Sequence, residues 1–360
     1  MAKGRVLMAM SGGVDSSVSA ACLLEEGYEL VGATMLLHHS PHDEAKNAAS
    51  CCSNKDVEDA KAVARTLGFE HHVLDFGQVF ERAVVDQFCQ AYLLGSTPNP
   101  CIECNRHLKF AMLQKARLEL GCDFVATGHY ARRRQNADGS YSLLRGLDVQ
   151  KDQSYVLYHL SQDTLAHMLF PLGTMTKQQV RALAARTCLA NAEKAESQDI
   201  CFVPDGDYAG FIEHRTARQS EPGPIVDEDG NELGRHLGLI RYTVGQRKGL
   251  NLGGGTAPYY VLAKDASTNT LVVGSADRLL SRTVTAHDIN IISGVPWEGA
   301  RSVDAKIGYR MKAAPARACV HDGLITVEFE ADVRAVSPGQ SLVLYSGEEV
   351  LGGGYIKSAV

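Results

Sequence analysis

The sequence predicts an α/β fold with a parallel sheet and helices on both faces, followed by a small central domain and a C-terminal β-barrel. Three observations carry this prediction. Short apolar runs alternate with stretches of helical spacing through the first half. A Gly turn joins the first apolar run to the first helical stretch. From Glu221 onward the chain becomes rich in Gly, Pro and β-branched residues. Alternating strand and helix is the order of a parallel sheet with crossover helices, whereas short strands with frequent turns belong to barrels.

Element by element, Arg5–Met10 reads as a strand, Val14–Glu26 as a helix and Glu29–Leu37 as a second strand. Lys55–Leu67 is helical because Val57, Ala60, Val63, Ala64 and Leu67 share one face. A strand at Glu70–Phe76, helices at Gln78–Leu94 and Asn105–Leu120, and a strand at Asp123–Thr127 follow. Asn136–Gly139 marks a hairpin turn, and helical stretches near Gln162–Phe170 and Lys177–Thr187 close the first half. Short strands are expected from Val284 to Ile356. A chain of 360 residues is too long for one ordinary core, and we divide it into 1–205, 206–278 and 279–360.

Composition narrows the class. Apolar residues make up 45% and charged residues 22%, which is globular rather than disordered or fibrous. No apolar run is long enough to span a bilayer, and Met1–Met10 lacks the pattern of a signal peptide, so a soluble, cytoplasmic protein is expected. The net charge of −6 argues against a nucleic-acid partner globally, but a nucleic acid feels a local patch. Basic clusters occur at Arg132–Arg134, at Arg235, Arg241, Arg247 and Lys248, and at Lys306, Arg310, Lys312 and Arg317. Each is either a solvated face or a nucleic-acid contact. Of ten cysteines, Cys22, Cys89, Cys122, Cys188 and Cys319 lie in apolar settings and read as buried small hydrophobes. Cys101, Cys104 and Cys201 lie in polar, turn-rich settings and need a chemical explanation.

Between the first strand and first helix stands Ala9–Met10–Ser11–Gly12–Gly13–Val14–Asp15–Ser16–Ser17. A helix N-terminus presents unpaired N–H groups and the positive end of its dipole, which suit a phosphate. Gly12 and Gly13 allow close backbone approach, and the serines add hydroxyls. The Gly-Lys-Ser/Thr ending of the usual nucleoside-triphosphate loop is absent. The run resembles the loop of the pyrophosphatase-loop enzymes, with their adenine nucleotide alpha hydrolase-like fold. That resemblance implies ATP as a substrate, cleaved to AMP and pyrophosphate.

Thr97–Pro98–Asn99–Pro100–Cys101–Ile102–Glu103–Cys104 is a Pro-stiffened loop entering a helix. It places Cys104 at or just before the helix start, where the dipole favours thiolate. Cys101 and Cys104 also have the spacing of a zinc half-site, but no second such pair exists, and only adjacent Cys51 and Cys52 offer further ligands. A second polar stretch, Glu196–Phe202, contains Cys201.

Taken together, Ser11–Ser17, Thr97–Cys104, Thr127–Tyr130, Lys151–Tyr155, Glu196–Phe202, Tyr242–Leu250 and Pro338–Ser341 resemble the bacterial tRNA 2-thiouridylase family over essentially the whole chain. The resemblance implies ATP-dependent 2-thiolation of the wobble uridine in tRNAs for Lys, Glu and Gln. It implies that Cys201 receives sulfur as a persulfide from a donor protein and that Cys104 is the catalytic nucleophile. Ala9, Met10, Ser11, Gly12, Gly13, Val14, Asp15, Ser16, Met35 and Gly128 would contact ATP. His129, Lys151, Asp152, Gln153, Tyr309, Arg310 and Gln340 would face the tRNA anticodon stem-loop.

Two positions depart from the family pattern. Cys101 stands where many members carry an Asp with an acid–base role, which leaves Asp15, Glu103 or Asp199 as substitutes. Gly308 stands where a basic residue often precedes Tyr309. Mg²⁺ is expected beside the phosphates, with Asp15 as a ligand. An iron–sulfur cluster on Cys101, Cys104 and Cys201 is an alternative sulfur carrier. An amide-forming synthetase with the same loop, or a tRNA-binding module without catalysis, are the competing classes. Neither requires Cys104 and Cys201.

Overall fold

The computed structural model describes residues 3–37, 54–187, 191, 194, 200–203, 205–253 and 258–360. Its first sheet contains β1 (Arg5–Ala9), β2 (Glu29–Leu36), β3 (Glu70–Asp75), β4 (Phe124–Ala126) and β5 (Met168–Leu169) in the order β3-β2-β1-β4-β5. Every adjacent pair is parallel. The central strand shows why. Val6, Leu7 and Met8 are all fully buried, as a strand covered on both faces requires. Leu7 enters one core with helices over 77–93 and 100–119, whereas Val6 and Met8 enter another with α1 (Val14–Glu25), α2 (Asn54–Leu67) and the helix Lys177–Arg186.

The chain leaves β1 toward β2 on one side and returns to β4 on the other. A crevice therefore opens between the C-terminal ends of β1 and β4, where ligands bind in open α/β sheets. The Gly12–Gly13 turn follows β1, and Thr127–Tyr130 follows β4.

Two element expectations need correction. The helix read as Asn105–Leu120 begins at Pro100, because Asn99 accepts a hydrogen bond from the Cys101 amide as N-cap and Pro100 occupies the first turn. The stretch read as one helix over Gln162–Phe170 is helical only at Gln162–Ala166; Met168 and Leu169 then pair with β4 as a short edge strand.

The central unit is a four-stranded sheet, Gly223–Val226, Glu232–His236, Tyr260–Asp265 and Thr270–Gly274, closed around Ile225, Leu239, Tyr242, Val261 and Leu271. The C-terminal sheet curls until its strands Leu280–Ile291 and Glu349–Ala359 pair, which closes a barrel. The predicted hairpin, Ala131–Gln135 and Tyr141–Arg145, is not a separate element. Its second strand pairs with the barrel at Glu349↔Leu144 and Val350↔Leu143, so a hairpin that follows β4 shares a sheet with the last strand of the chain. No helix among the described residues is long and apolar enough to cross a membrane.

The Cys201 segment is anchored by its neighbour. The Phe202 ring lies 5.7 Å from Phe80, 5.2 Å from Phe88 and 5.3 Å from Phe211, centroid to centroid. Phe202→Ala should therefore cost about 3–5 kcal/mol of stability. Urea denaturation of the two proteins measures this, and a loss below about 1 kcal/mol would show that the ring is not an anchor.

Candidate functional site

The phosphate loop is built by strand pairing and a missing cap. Beyond β1 the Met10 amide donates to the Ala33 carbonyl at 2.8 Å, and the Thr34 hydroxyl donates to the Met10 carbonyl at 2.8 Å. The chain then turns at Gly12, whose φ of +69° lies in the left-handed region. A Cβ on Gly12 would come within 2.4 Å of the Asp56 carbonyl oxygen. Gly13 is the N-cap of α1 and offers no side-chain acceptor. The first-turn amides of this 12-residue helix thus face the crevice without a cap, where an anion fits them. The Ser16 and Ser17 hydroxyls both donate to the Gly13 carbonyl at 3.0 Å, which stiffens the turn.

Gly128 closes the opposite wall. A Cβ there would lie 3.0 Å from the Asp15 carbonyl carbon and the Ser16 nitrogen. Asp15 itself is engaged: its Oδ1 accepts from Lys177 Nζ at 2.7 Å and from the Tyr130 hydroxyl at 3.0 Å. The Mg²⁺ ligand expected at Asp15 is therefore a carboxylate already holding an ammonium. Lys177 is the positive charge that the geometry puts beside the loop. Met35, at the end of β2, is buried in the core below the crevice.

His71 supports this floor from β3. Thr34 has one hydroxyl proton and gives it to Met10, so His71 Nε2, 2.8 Å from Thr34 Oγ1, is the donor of that pair. Its Nδ1 is buried with no hydrogen-bond partner among the described residues. Burial, with the Lys61 and His72 charges, pushes the imidazole down to about 4.

The cysteine loop is fixed by the barrel. Thr97 donates its amide to the Pro338 carbonyl at 2.9 Å, and Gln340 Nε2 donates to the Thr97 carbonyl at 2.7 Å. Gln340, expected to face tRNA, thus commits its amide nitrogen to this loop. With the helix starting at Pro100, Cys101 occupies the first turn and Cys104 lies one turn further in. The dipole effect falls off within that first turn, so the expected placement of Cys104 at the helix start is corrected, and the thiolate argument weakens with it. Cys101 is exposed, while Cys104 and Cys201 are half-buried. Cys104 and Cys201 pack against one core cluster, the cluster that also takes Ala9 and Met35.

No group of three His, Cys, Asp or Glu side chains able to hold a metal occurs among the described residues. Cys101, Cys104 and Cys201 form no such group in this structure. Cys51 and Cys52, offered for zinc, and Asp199, offered as an acid–base substitute, lie outside the described residues. Of the other substitutes, Glu103 accepts from the Tyr355 hydroxyl and lies 3.2 Å from His107 Nε2.

Among the residues expected to face tRNA, Tyr309 and Arg310 are exposed on the loop after Arg301–Lys306. Tyr309 lies over Lys306, whose ammonium is 5.5 Å from its ring and 5.2 Å from that of Tyr155. Gly308 beside it is buried. Lys151, Asp152 and Gln153 are half-buried. Asp152 accepts from the Gly146 and Ser154 amides at 3.0 Å, and Gln153 brackets Tyr130 through its amide nitrogen and side-chain oxygen. These two order the crevice wall. His129 is buried, its Nδ1 2.8 Å from Thr127 Oγ1, and burial with the Lys109 charge holds it well below its usual range. It is a neutral wall residue rather than a cation for phosphate.

Sequence reasoning missed Lys177, Asn191, Lys194, Asp56 and Asp59. Asn191 and Lys194 both donate to the Gly12 carbonyl, at 2.9 and 3.2 Å. Their partners are far away in the chain, and no local spacing signals them.

Gly12→Ala should destabilise the fold by about 1–3 kcal/mol, from the left-handed φ and the overlap with Asp56. Thermal unfolding checks it, and a neutral result would contradict the close approach. His71 sets a pH dependence. The unfolded imidazole takes a proton near 6.5 and the folded one only near 4, so its contribution is complete above 6.5 and is lost as pH falls toward 4. Urea midpoints between pH 7 and 4.5 should fall more steeply for the native protein than for His71→Gln; equal slopes would refute it.

Residues 4–205 match the model described as the tRNA methyl transferase HUP domain, 209–275 its PRC-barrel domain, and 281–356 the aminomethyltransferase beta-barrel domain. A tRNA-specific 2-thiouridylase of Acetivibrio thermocellus is 47% identical over 99% of this chain and 100% of its own. That of Geotalea uraniireducens is 49% identical over 99% and 96%. A solved 4-thiouridine synthetase–RNA complex with bound ATP aligns with 16% identity and a TM-score of 0.34 over 59% of this chain and 50% of that one, too loosely to carry an argument. With nearly half of its residues shared along its whole length, the chain belongs to the tRNA-specific 2-thiouridylase family.

Proposed function

We propose that this chain, a tRNA sulfurtransferase that acts on uridine, works in the cytoplasm on the wobble uridine of tRNAs for Lys, Glu and Gln, using ATP and a cysteine persulfide. One observation supports the reading: Cys104 and Cys201 pack against the same extended core, to which Ala9 and Met35 also belong.

Uracil O2 is a poor leaving group. Its attack on the α phosphorus of ATP expels pyrophosphate and converts O2 into part of AMP. The open amides of α1, the Ser11 hydroxyl and Lys177 stabilise the charge on the departing phosphates. Mg²⁺ is the counterion we propose there, supplying further charge neutralisation. Cys201 carries the incoming sulfur as a persulfide, given by a donor protein. Its terminal sulfur attacks C2, and AMP departs with the old oxygen. The Cys104 thiolate then attacks the Cys201 sulfur, and the S–S bonding pair passes to the thiouracil. A Cys104–Cys201 disulfide results, and a dithiol reductant supplies the two electrons that reopen it.

A base stacked in the anticodon loop is out of reach, so the uridine must swing out into the crevice. Tyr309 and Arg310 are exposed beside Asp152 and suit base and phosphate contacts. The exposed Arg247 and Lys248 of the central unit suit the backbone. The neutral His129 and Tyr130 form the wall.

The test is thionucleoside analysis of unmodified tRNA incubated with protein, ATP and a persulfide donor. Cys104→Ser and Cys201→Ser should each abolish 2-thiouridine, while Cys201→Ser still releases pyrophosphate when tRNA is present. Full activity in both variants would overturn the two-cysteine route. Absence of pyrophosphate from Cys201→Ser would show that activation and sulfur delivery are not separable.

A further inference from the structure

We propose that the Lys306 ammonium is a binding group for a backbone phosphate of the tRNA, kept beneath Tyr309 until the RNA arrives. This rests on the function proposed above.

Lys306 ends the barrel strand Arg301–Lys306, opposite Val343, and is only 9% exposed. Among the described residues its ammonium makes no hydrogen bond and no ion pair. Its neighbours are two aromatic rings, Tyr155 at 5.2 Å and Tyr309 at 5.5 Å. Tyr155 is a fixed floor, fully buried, with its hydroxyl donating to the Ser341 carbonyl at 2.8 Å. The Tyr309 ring, 5.9 Å from that of Tyr155, is 39% exposed and forms the outer cover.

Ring faces attract a cation but do not neutralise it. The carboxylate whose charge reaches Lys306 is Asp152, and both of its oxygens are engaged. Oδ1 accepts from the Gly146 and Ser154 amides, and Oδ2 from the Ser154 hydroxyl, all at 3.0 Å. Burial holds the ammonium below the usual lysine range; the Asp152 charge opposes this and the Arg145 charge adds to it. A side chain needed only for packing would be apolar at lower cost. A buried donor without a partner is accounted for when a ligand brings the partner.

The setting points to the chemistry of that ligand. An ammonium is a compact charge with three donors on a flexible stem, which suits a phosphate oxygen. The phosphate loop already has its own ammonium in Lys177, 2.7 Å from Asp15, so the nucleotide does not need this one. Lys306 belongs instead to the barrel, beside the exposed Tyr309, Arg310 and Lys312. A base swung out of the anticodon loop stacks on the Tyr309 ring and draws it outward. The Lys306 stem then lifts its charge to the phosphate that adjoins the base.

The experiment reads salt dependence. Binding of unmodified tRNA is titrated between about 50 and 200 mM salt for the native protein, Lys306→Met and Lys306→Arg. Each phosphate neutralised on a single strand adds about 0.7 to the slope of log affinity against log salt. The Met variant should therefore lose about 0.7 of slope, with affinity several-fold lower at the low-salt end, and the Arg variant should recover both. Thermal unfolding without RNA separates this from a structural role. Removing an uncompensated buried charge should leave the Met variant melting at the native temperature or above it. An unchanged slope overturns the inference, and so does a Met variant that melts below the native protein or fails to fold. Weaker ATP binding with an unchanged slope would give the ammonium to the nucleotide, which overturns it equally. A native protein that binds no tRNA removes the proposed function too, whereas an unchanged slope removes this inference alone.

Discussion

At Gly12 the backbone of the loop, the first turn of α2 and the side chains of Asn191 and Lys194 meet with no space for a methyl group. This contact makes the rest possible. A left-handed turn there directs the chain from a strand with a fully buried centre into a helix whose first amides carry no cap. An uncapped helix end is normally a defect that a Ser, Thr, Asp or Asn removes. Here the defect is kept open, and the stiffness that a cap would give comes from serines that bond backward to the Gly13 carbonyl.

Much of this frame is legible in the chain. The alternation of apolar runs and helical spacing shows a parallel sheet with helices on both faces, and the Ser-Gly-Gly run marks where anions belong. What stays hidden depends on residues far apart. Nothing near Lys177 reveals that Asp15 is its partner, and nothing near Asn191 reveals Gly12. The hairpin at 131–145 is readable as a hairpin, but its partner is a strand two hundred residues later, and no local pattern encodes that register. The start of the helix that carries Cys104 is not legible in apolar spacing, because an Asn cap and a proline set it.

The unusual Cys101 also looks different in three dimensions. Two of the three carboxylates offered for acid–base work in its place are already committed, Glu103 to Tyr355 and His107, and Asp15 to Lys177 and Tyr130. Cys101 itself sits in the exposed first turn of the helix, its amide held by Asn99. The helix that carries Cys104 is held near its start by the barrel, through Glu103 to Tyr355 and through the Arg106–Asp288 ion pair, whose second contact is 3.2 Å. Cys104 thus sits on a helix whose first turns are tied to the last third of the chain.

That dependence extends to the docked hairpin. Because Tyr141–Arg145 finds its outer neighbour in the barrel, the N-terminal portion is not a self-sufficient body. Cut away from the C-terminal strands, it would bare a row of unpaired amides and carbonyls beside the apolar Leu143 and Leu144, an edge of the kind that recruits foreign strands. During synthesis the ribosome delivers this hairpin long before its partner emerges, so the nascent chain passes through an interval in which aggregation competes with completion of the sheet.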